Sequence, residues 1–302
     1  MLAHAVQSYL STRRAVGFAL KEVGQHLRSF AAYSDARGQR YLKARTAIDW
    51  AGQVPSVYQR ARRLADVTRF ARYLQAEDER HEIPPTVFGR DHRPRRPPYI
   101  LSDEQIGQLI ELAAQSGYRT LRRQTYSTLF ALLSCTGLRV SEAIRLKYSD
   151  ITRDGLVIRA TKFQKTRLVP LHETTQAALD RYLQQRRPYA PLDDHVFISL
   201  RRKPLLISDV ESAFRTVAAK LGLPTGRGRR HPTPHSLRHA FAIRALRTCP
   251  DGRDHITKHM LMLSTYLGHS NAALTYWYLE AVPELMRSIA ERCEAHLAGG
   301  AP

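Results

Sequence analysis

Cysteine is scarce in this chain of 302 residues. Its three cysteines, Cys135, Cys249 and Cys293, are scattered and odd in number, which argues against a disulfide framework and fits a reducing compartment. Nothing approaches the roughly 18 consecutive apolar residues that a membrane span needs. The opening stretch "MLAHAVQSYLSTRRAVGF" carries neither a long apolar run nor a small-residue cleavage site, so no secretory signal is expected. These absences predict a soluble, cytoplasmic protein without a membrane partner. Acidic residues are also few, 27 against 47 Lys+Arg, for a formal net charge of +20. There is no GxxxxGK[ST] loop to cradle nucleotide phosphates and no convincing carboxylate cluster. No repeat recurs at solenoid periods.

What is present is enough apolar residue, 43%, to bury a sizeable core, in a length that suits two modest domains. The cationic surplus points to a polyanion, because lysine and arginine displace counterions from phosphates. Residues 1–80 read as helices, with Leu20, Val23, Leu27, Phe30 and Ala31 at helical spacing, and Leu64, Val67, Ala71 and Leu74 likewise. Arg60, Arg62, Arg63, Arg69 and Arg72 crowd the last of them and either face phosphates or form a solvated basic face. Residues 81–98, rich in proline and arginine, predict a linker, with Arg95 and Arg96 fit to strap a nucleic-acid backbone.

From residue 99 onward the pattern is mainly helical with a small sheet. Ser102 and Gln105 form a capping-box signature ahead of Ile106, Leu109 and Ile110. A helix follows to the break at Thr136-Gly137, then a short one in "RVSEAIRL". Strands are expected at "LVIRA" and "RLVPL" around "TKFQKT", and another at "HVFIS". Further helices are expected near 173–186, 208–221, 257–266, 270–279 and 283–297.

Several polar groups carry possible chemistry, and each has a plain alternative. Arg139, just after the glycine break in "TGLR", offers a two-pronged donor to a phosphate, or is a surface arginine. In "HSLRH", His235 and Arg238 share a helix face, as would any polar helix surface. Lys162 and Lys165 lie on a turn between strands, poised to donate a proton or simply solvated. Arg229 and Arg230 add charge to the loop "PTGRGRRHPTP". Tyr278 and Tyr276 are either core filler or nucleophiles, and a phenol with an ordinary pKa of about 10 needs positive charge nearby to attack.

Their order is informative. Arg, Lys, His-x-x-Arg, Gly-His and Tyr follow one another over about 140 residues, in the local wording "TGLRVSEAIRL", "RLVPLH", "PHSLRHAFA" and "LGHS", with Tyr278 nine positions after His269. Over residues 99–285 this resembles the catalytic series of the tyrosine recombinases, or phage-integrase family, with a likeness to transposon-encoded branches in "TYWYLEAVPELM". The resemblance implies a helical, SAM-like core-binding domain at 1–80 and a tyrosine-recombinase catalytic domain with a C-terminal helix at 99–302, closing together as a clamp on duplex DNA. It implies that Arg139 and Arg238 hold the scissile phosphate and that His269 hydrogen-bonds it. His235 would help move the phenol's proton, and Lys162, with Lys165 as the alternative, would protonate the leaving 5′ oxygen. Glu142 would support the site, and Tyr278 would form a 3′-phosphotyrosine without metal or ATP. Arg60, Arg62, Arg63, Arg69, Arg95, Arg96, Lys165, Arg229 and Arg230 are the expected DNA contacts. The implied partners are paired recombination sites and a homo-tetramer, with sister recombinases as a further option, on the nucleoid. The implied function is integration or transposition of a mobile element. Relaxation of supercoils by the same chemistry, or a DNA-binding protein of this fold without catalysis, are the alternatives. The stretch between Arg238 and His269 is long for the family. Within it, Cys249, His255 and His259 suggest a zinc site only weakly, since no fourth ligand is evident.

Overall fold

The computed structural model describes residues 2–89, 98–116, 120–159, 166–189, 194–225, 230–248 and 253–268, together with 275, 278 and 294. The chain divides into two compact units, Met1–Arg95 and Arg96–Pro302. The fold is mainly helical with one small antiparallel sheet.

The first unit is built from α1 (Leu2–Ala15), α2 (Lys21–Asp35), α3 (Ala44–Gly52) and α4 (Val57–Gln75). The helical spacing seen in the sequence becomes its core: Leu27, Phe30 and Ala31 from α2 and Leu64, Val67, Ala71 and Leu74 from α4 are buried, joined by Leu2, Val6, Leu10 and Trp50. Asp66 is buried in this core, with His26 Nδ1 at 2.7 Å and Arg69 paired to its other oxygen. A buried carboxylate is tolerable only with partners of this kind. Residues 81 and 82 return to the unit. His81 Nδ1 accepts from the Leu42 N–H at 3.0 Å, and Glu82 accepts from the Ala44 N–H at 2.8 Å. A carboxylate there satisfies an otherwise orphan donor at the start of α3 and suits the positive end of the helix dipole.

The second unit begins with α5 (Asp103–Gln115), whose capping box forms as the sequence reads: Gln105 N–H donates to Ser102 Oγ, and Ser102 N–H to Gln105 Oε1, both at 3.1 Å. The central helix is α6 (Thr120–Thr136), packed against α5, against α8 (Glu173–Arg186) and against α10 (Pro234–Arg247). Leu129, Phe130 and Leu133 of α6 are fully buried, and Phe130 meets Phe214 of α9 (Ile207–Lys220) edge to face at 5.4 Å. Between α6 and α8 lie the short helix α7 (Val140–Ala143) and the strands β1 (Ile151–Thr152), β2 (Gly155–Ile158) and β3 (Arg167–Val169). They pair antiparallel in the order β1-β2-β3, with Ile158 opposite Arg167. The helix α11 (Arg253–Tyr266) packs on α10.

The expected strand at "HVFIS" is corrected to isolated bridges, Lys147 with His195 and Ile198 with Pro204. The physical reason is Arg186, buried in the core, which donates to the carbonyls of His195 and Val196 and to the Tyr148 hydroxyl. Those carbonyls are therefore taken by a guanidinium rather than by a strand ladder. The expected helices at 270–279 and 283–297 lie outside the described residues, apart from 275, 278 and 294, which are helical. No helix of the described residues is long and apolar enough to cross a membrane.

Candidate active site

The site begins where α6 ends. Gly137 takes a left-handed conformation at φ 61°, which glycine adopts without the steric penalty of a side chain. The turn places Arg139 in extended backbone immediately before α7. Glu142, one helical turn on, accepts from the Arg139 main-chain N–H at 3.0 Å and from its Nη1 at 2.8 Å. The same carboxylate accepts two bonds from Arg167 of β3, from Nη1 at 3.2 Å and Nη2 at 2.8 Å. Burial pushes the Glu142 carboxyl upward. Hydrogen bonds from Arg167 and from the Arg139 main chain, together with the Arg167 charge, outweigh that and hold it at about 2.

Arg238, on α10, is 1% exposed. Its Nη1 donates to the Gly137 carbonyl at 2.5 Å and its Nη2 to the Leu267 carbonyl at 2.7 Å. Arg139 Nη2 donates to the next carbonyl, Gly268, at 3.1 Å. Two successive carbonyls after α11 thus receive the two arginines. Gly268 is left-handed at φ 64°, and a Cβ there would lie 3.0 Å from Arg167 Nη1, so a side chain would crowd the third arginine. Burial lowers the Arg238 guanidinium to about 10, helped by Arg139 and opposed by Tyr278 and Glu142. Three guanidinium groups and one carboxylate leave the pocket with surplus positive charge. Arg139, with 32% of its side chain exposed, is its open side, and Arg238 its floor.

Tyr278 is 3% exposed and joins the small cluster of Ala242, Ile243, Leu246 and Leu267. Its hydroxyl lies 3.2 Å from His239 Nδ1, and the His239 ring stands edge-on to His235 at 4.5 Å between centroids. Arg139, Glu142, Arg238 and Tyr278, separated by up to 139 positions in sequence, are therefore brought together. His235 joins them through His239. Lys162, Lys165, His269, Tyr276, Arg95, Arg96 and Arg229 lie outside the described residues, and Arg230 is exposed.

On α4, the arginines expected to face DNA also have partners within the first unit. Arg60 Nε donates to the Val54 carbonyl at 2.6 Å, Arg62 pairs with Glu22 at 2.5 Å, and Arg69 pairs with Asp66. Arg63 lies over the Trp50 ring at 4.1 Å, where burial lowers its guanidinium. His259 Nε2 is 2.6 Å from the Ala245 carbonyl oxygen, and among the described residues no three His, Cys, Asp or Glu side chains gather as a metal site would need.

Sequence reasoning misses two members of the pocket. Arg167 reads only as part of a strand. His239 stands beside Arg238 in "HSLRH" without a role of its own. Its spacing of four from His235, one shared helix face, is the available signal.

A small sheet beside a helical bundle, with arginines from separate elements converging on a phenol, is the architecture of a tyrosine recombinase. The sequence model of the phage integrase family matches residues 100–284, and the chain belongs to that family. A protein of Sinorhizobium fredii named as an integrase/recombinase is 38% identical over 96% of this chain and 96% of its own length. Tyrosine recombinase XerD of Proteus mirabilis is 32% identical over 75% of this chain and 69% of its own. Among solved structures, the Tn1549 transposon integrase in complex with transposon right end DNA aligns with a TM-score of 0.65, at 18% identity over 95% of this chain and 98% of that one. That likeness carries the fold.

Proposed function

We propose that the protein cuts and rejoins duplex DNA through a covalent 3′-phosphotyrosine on Tyr278, in support of integration or transposition of a mobile element. The observation that carries this reading is the convergence of Arg139 and Arg238 beside a buried phenol, in a pocket whose charge is net positive. A phosphodiester supplies the missing negative charge. Each guanidinium has five N–H donors, and the described bonds use two on Arg238 and two on Arg139, leaving others for the non-bridging oxygens. Charge that builds on those oxygens during attack meets fixed donors, which is the most effective form of electrostatic catalysis.

Attack by the Tyr278 oxygen joins it to phosphorus and releases the 5′ oxygen, which takes a proton from Lys162 or Lys165. His269 adds a hydrogen bond to the phosphate. The phosphotyrosine keeps the phosphodiester's bond energy, so rejoining asks for neither nucleotide nor metal. The structural likeness to the XerH site-specific recombinase, solved bound to palindromic difH substrate, supports duplex DNA as the partner. Two duplexes held by four protomers, of this chain alone or with sister recombinases, would complete the exchange. The arginines of α4, with Arg95, Arg96, Arg229 and Arg230, would contact the backbone.

Nicked suicide duplexes tiled across the DNA that flanks the gene test the reading. Wild type should form an adduct stable to denaturation, also in excess EDTA, and Tyr278→Phe should form none while still binding. An adduct that persists in the Phe variant, or no adduct from wild type on any duplex it binds, overturns it.

A further inference from the structure

We infer that Arg167 is a positioning residue for strand cutting: it aims the Arg139 guanidinium at the phosphate, through Glu142 and Gly268, without touching the DNA itself. The inference rests on the recombinase reading, in which Arg139 is a phosphate ligand. Arg139 is held at two points, its Nη1 by Glu142 Oε1 and its Nη2 by the Gly268 carbonyl. Arg167 meets both holders. Its Nη1 and Nη2 donate to the two oxygens of Glu142, at 3.2 and 2.8 Å. A Cβ on Gly268 would lie 3.0 Å from Arg167 Nη1 and 3.3 Å from its Cζ, so the guanidinium occupies the room that a side chain there would need.

The bonds to Glu142 are shared out evenly. Oε1 accepts from Nη1 of both arginines, and Oε2 accepts from the Arg139 main-chain N–H and from Arg167 Nη2. A two-pronged pairing fixes the plane of a carboxylate, which a single donor leaves free to turn. That plane sets where Oε1 meets Arg139. Arg139 is the member of the group that needs such a guide, with 32% of its side chain exposed against 14% for Arg167 and 8% for Glu142. A guanidinium already held in place meets the charge of the transition state without having to be ordered first.

Two further observations single out Arg167. Burial pushes the Glu142 carboxyl up, and hydrogen bonding from Arg167 is the largest of the effects that hold it at about 2, ahead of either contribution from Arg139. Arg167 Nε, moreover, is the one buried side-chain nitrogen or oxygen without a hydrogen-bond partner among the described residues. A buried donor left unpaired is costly, and each such exception calls for a reason. The reason here is aim. Both terminal nitrogens are committed to Glu142, and Nε is left over, too enclosed to serve DNA.

The test compares wild type, Arg167→Lys, Glu142→Gln and the double variant on a nicked suicide duplex from the flanking DNA. Cleavage is followed in single turnover at saturating duplex, and affinity by mobility shift. Each protein meets the natural phosphodiester and a duplex whose scissile phosphate is a methylphosphonate, which carries no charge. Lysine keeps the charge beside Glu142 and loses the fork. Arg167→Lys should leave affinity unchanged and slow phosphodiester cleavage on the order of 10- to 100-fold, the effect of misplacing a substrate-holding group by about 1 Å. The deficit should shrink on the methylphosphonate, where a well-aimed cation has no charge to meet. It should nearly vanish in the Glu142→Gln background, where the link is already cut. Equal rates at saturation overturn the inference, with or without weaker binding. So does a deficit of the same size on both substrates, the mark of a merely structural role, and so does full additivity with Glu142→Gln. Where Glu142→Gln alone leaves no measurable rate, the contrast between substrates decides. If Arg167→Lys fails to fold, Arg167→Gln takes its place. If both fail, nitrogen NMR of the wild type decides: separate Nη signals for Arg167 support a fork that does not rotate, and averaged ones refute it. Failure of the recombinase reading is separately visible, as absence of a wild-type adduct or its persistence in Tyr278→Phe.

Discussion

Replacing Glu142 by glutamine keeps the shape of the side chain and removes the charge that Arg139 and Arg167 share. The folded carboxyl sits at about 2 against an ordinary value of 4.5. At about 1.4 kcal/mol for each pKa unit, that depression corresponds to about 3 kcal/mol of stability at neutral pH. A second route gives the same size: removing one partner of a buried ion pair costs about 3–5 kcal/mol, because the remaining charge is left uncompensated. Here Arg139, Arg167 and Arg238 would face one another with no carboxylate between them. The sign is that of a depressed acid. The stabilisation is complete above the unfolded value and is lost as pH falls through the folded one, so the gap between wild type and Glu142→Gln should narrow from about pH 5 down to about 2. Native-state hydrogen exchange at the buried amides of α6, including Leu129, Phe130 and Leu133, reads the second unit without interference from the first. A loss below about 1 kcal/mol, the range of exposed ion pairs, would refute the reasoning. So would a gap that stays constant on acidification.

Gly155→Ala should destabilise the second unit by more than about 3 kcal/mol in urea unfolding, since the residue sits at φ 129° and a Cβ would lie 2.3 Å from the Val169 carbonyl oxygen. Gly137→Ala should cost about 1–2 kcal/mol from its left-handed backbone alone. A Cβ there would also lie 2.4 Å from the Phe241 ring, so adduct formation should fall with stability as α10 and Arg238 shift; unchanged activity would show that the Gly137 carbonyl is dispensable. Ser102→Ala removes half of a capping box and should cost about 1 kcal/mol by thermal unfolding, without affecting adduct formation at saturating DNA.

The parts of the fold legible in the sequence are those decided within a few residues. The α5 capping box depends on Ser102 and Gln105 alone, and α8 runs Glu173–Arg186, where its pattern places it. The strand expected at "HVFIS" depends instead on what its carbonyls meet. Arg186, ten residues away, takes them, and no local pattern announces a buried arginine of that kind. The site divides in the same way. Arg139, Glu142, Arg238 and Tyr278 are singled out by the order of motifs, not by any pattern of contact geometry. Arg167 and His239 escape notice because each meets a neighbouring side chain, one Glu142 and the other Tyr278. A residue whose partner is another side chain leaves no spacing signature of its own.

That dependence on neighbours also explains why this pocket is hard to separate from the fold that holds it. Arg238 ties α10 to the turn after α6 and to the end of α11, through the carbonyls of Gly137 and Leu267. Arg139 ties α7 to Gly268, and Arg167 ties β3 to α7 through Glu142. The groups proposed to meet the phosphate are thus the same groups that satisfy three main-chain carbonyls at two turns, one after α6 and one after α11. A charge-neutral replacement of Arg238, such as Arg238→Met, removes a phosphate ligand and leaves two carbonyls unpaired at once. Its loss of activity therefore cannot be read as catalysis alone. Arg238→Lys restores the charge without the fork and separates the two contributions, because an ammonium on a flexible stem would not reach both carbonyls as a planar guanidinium does.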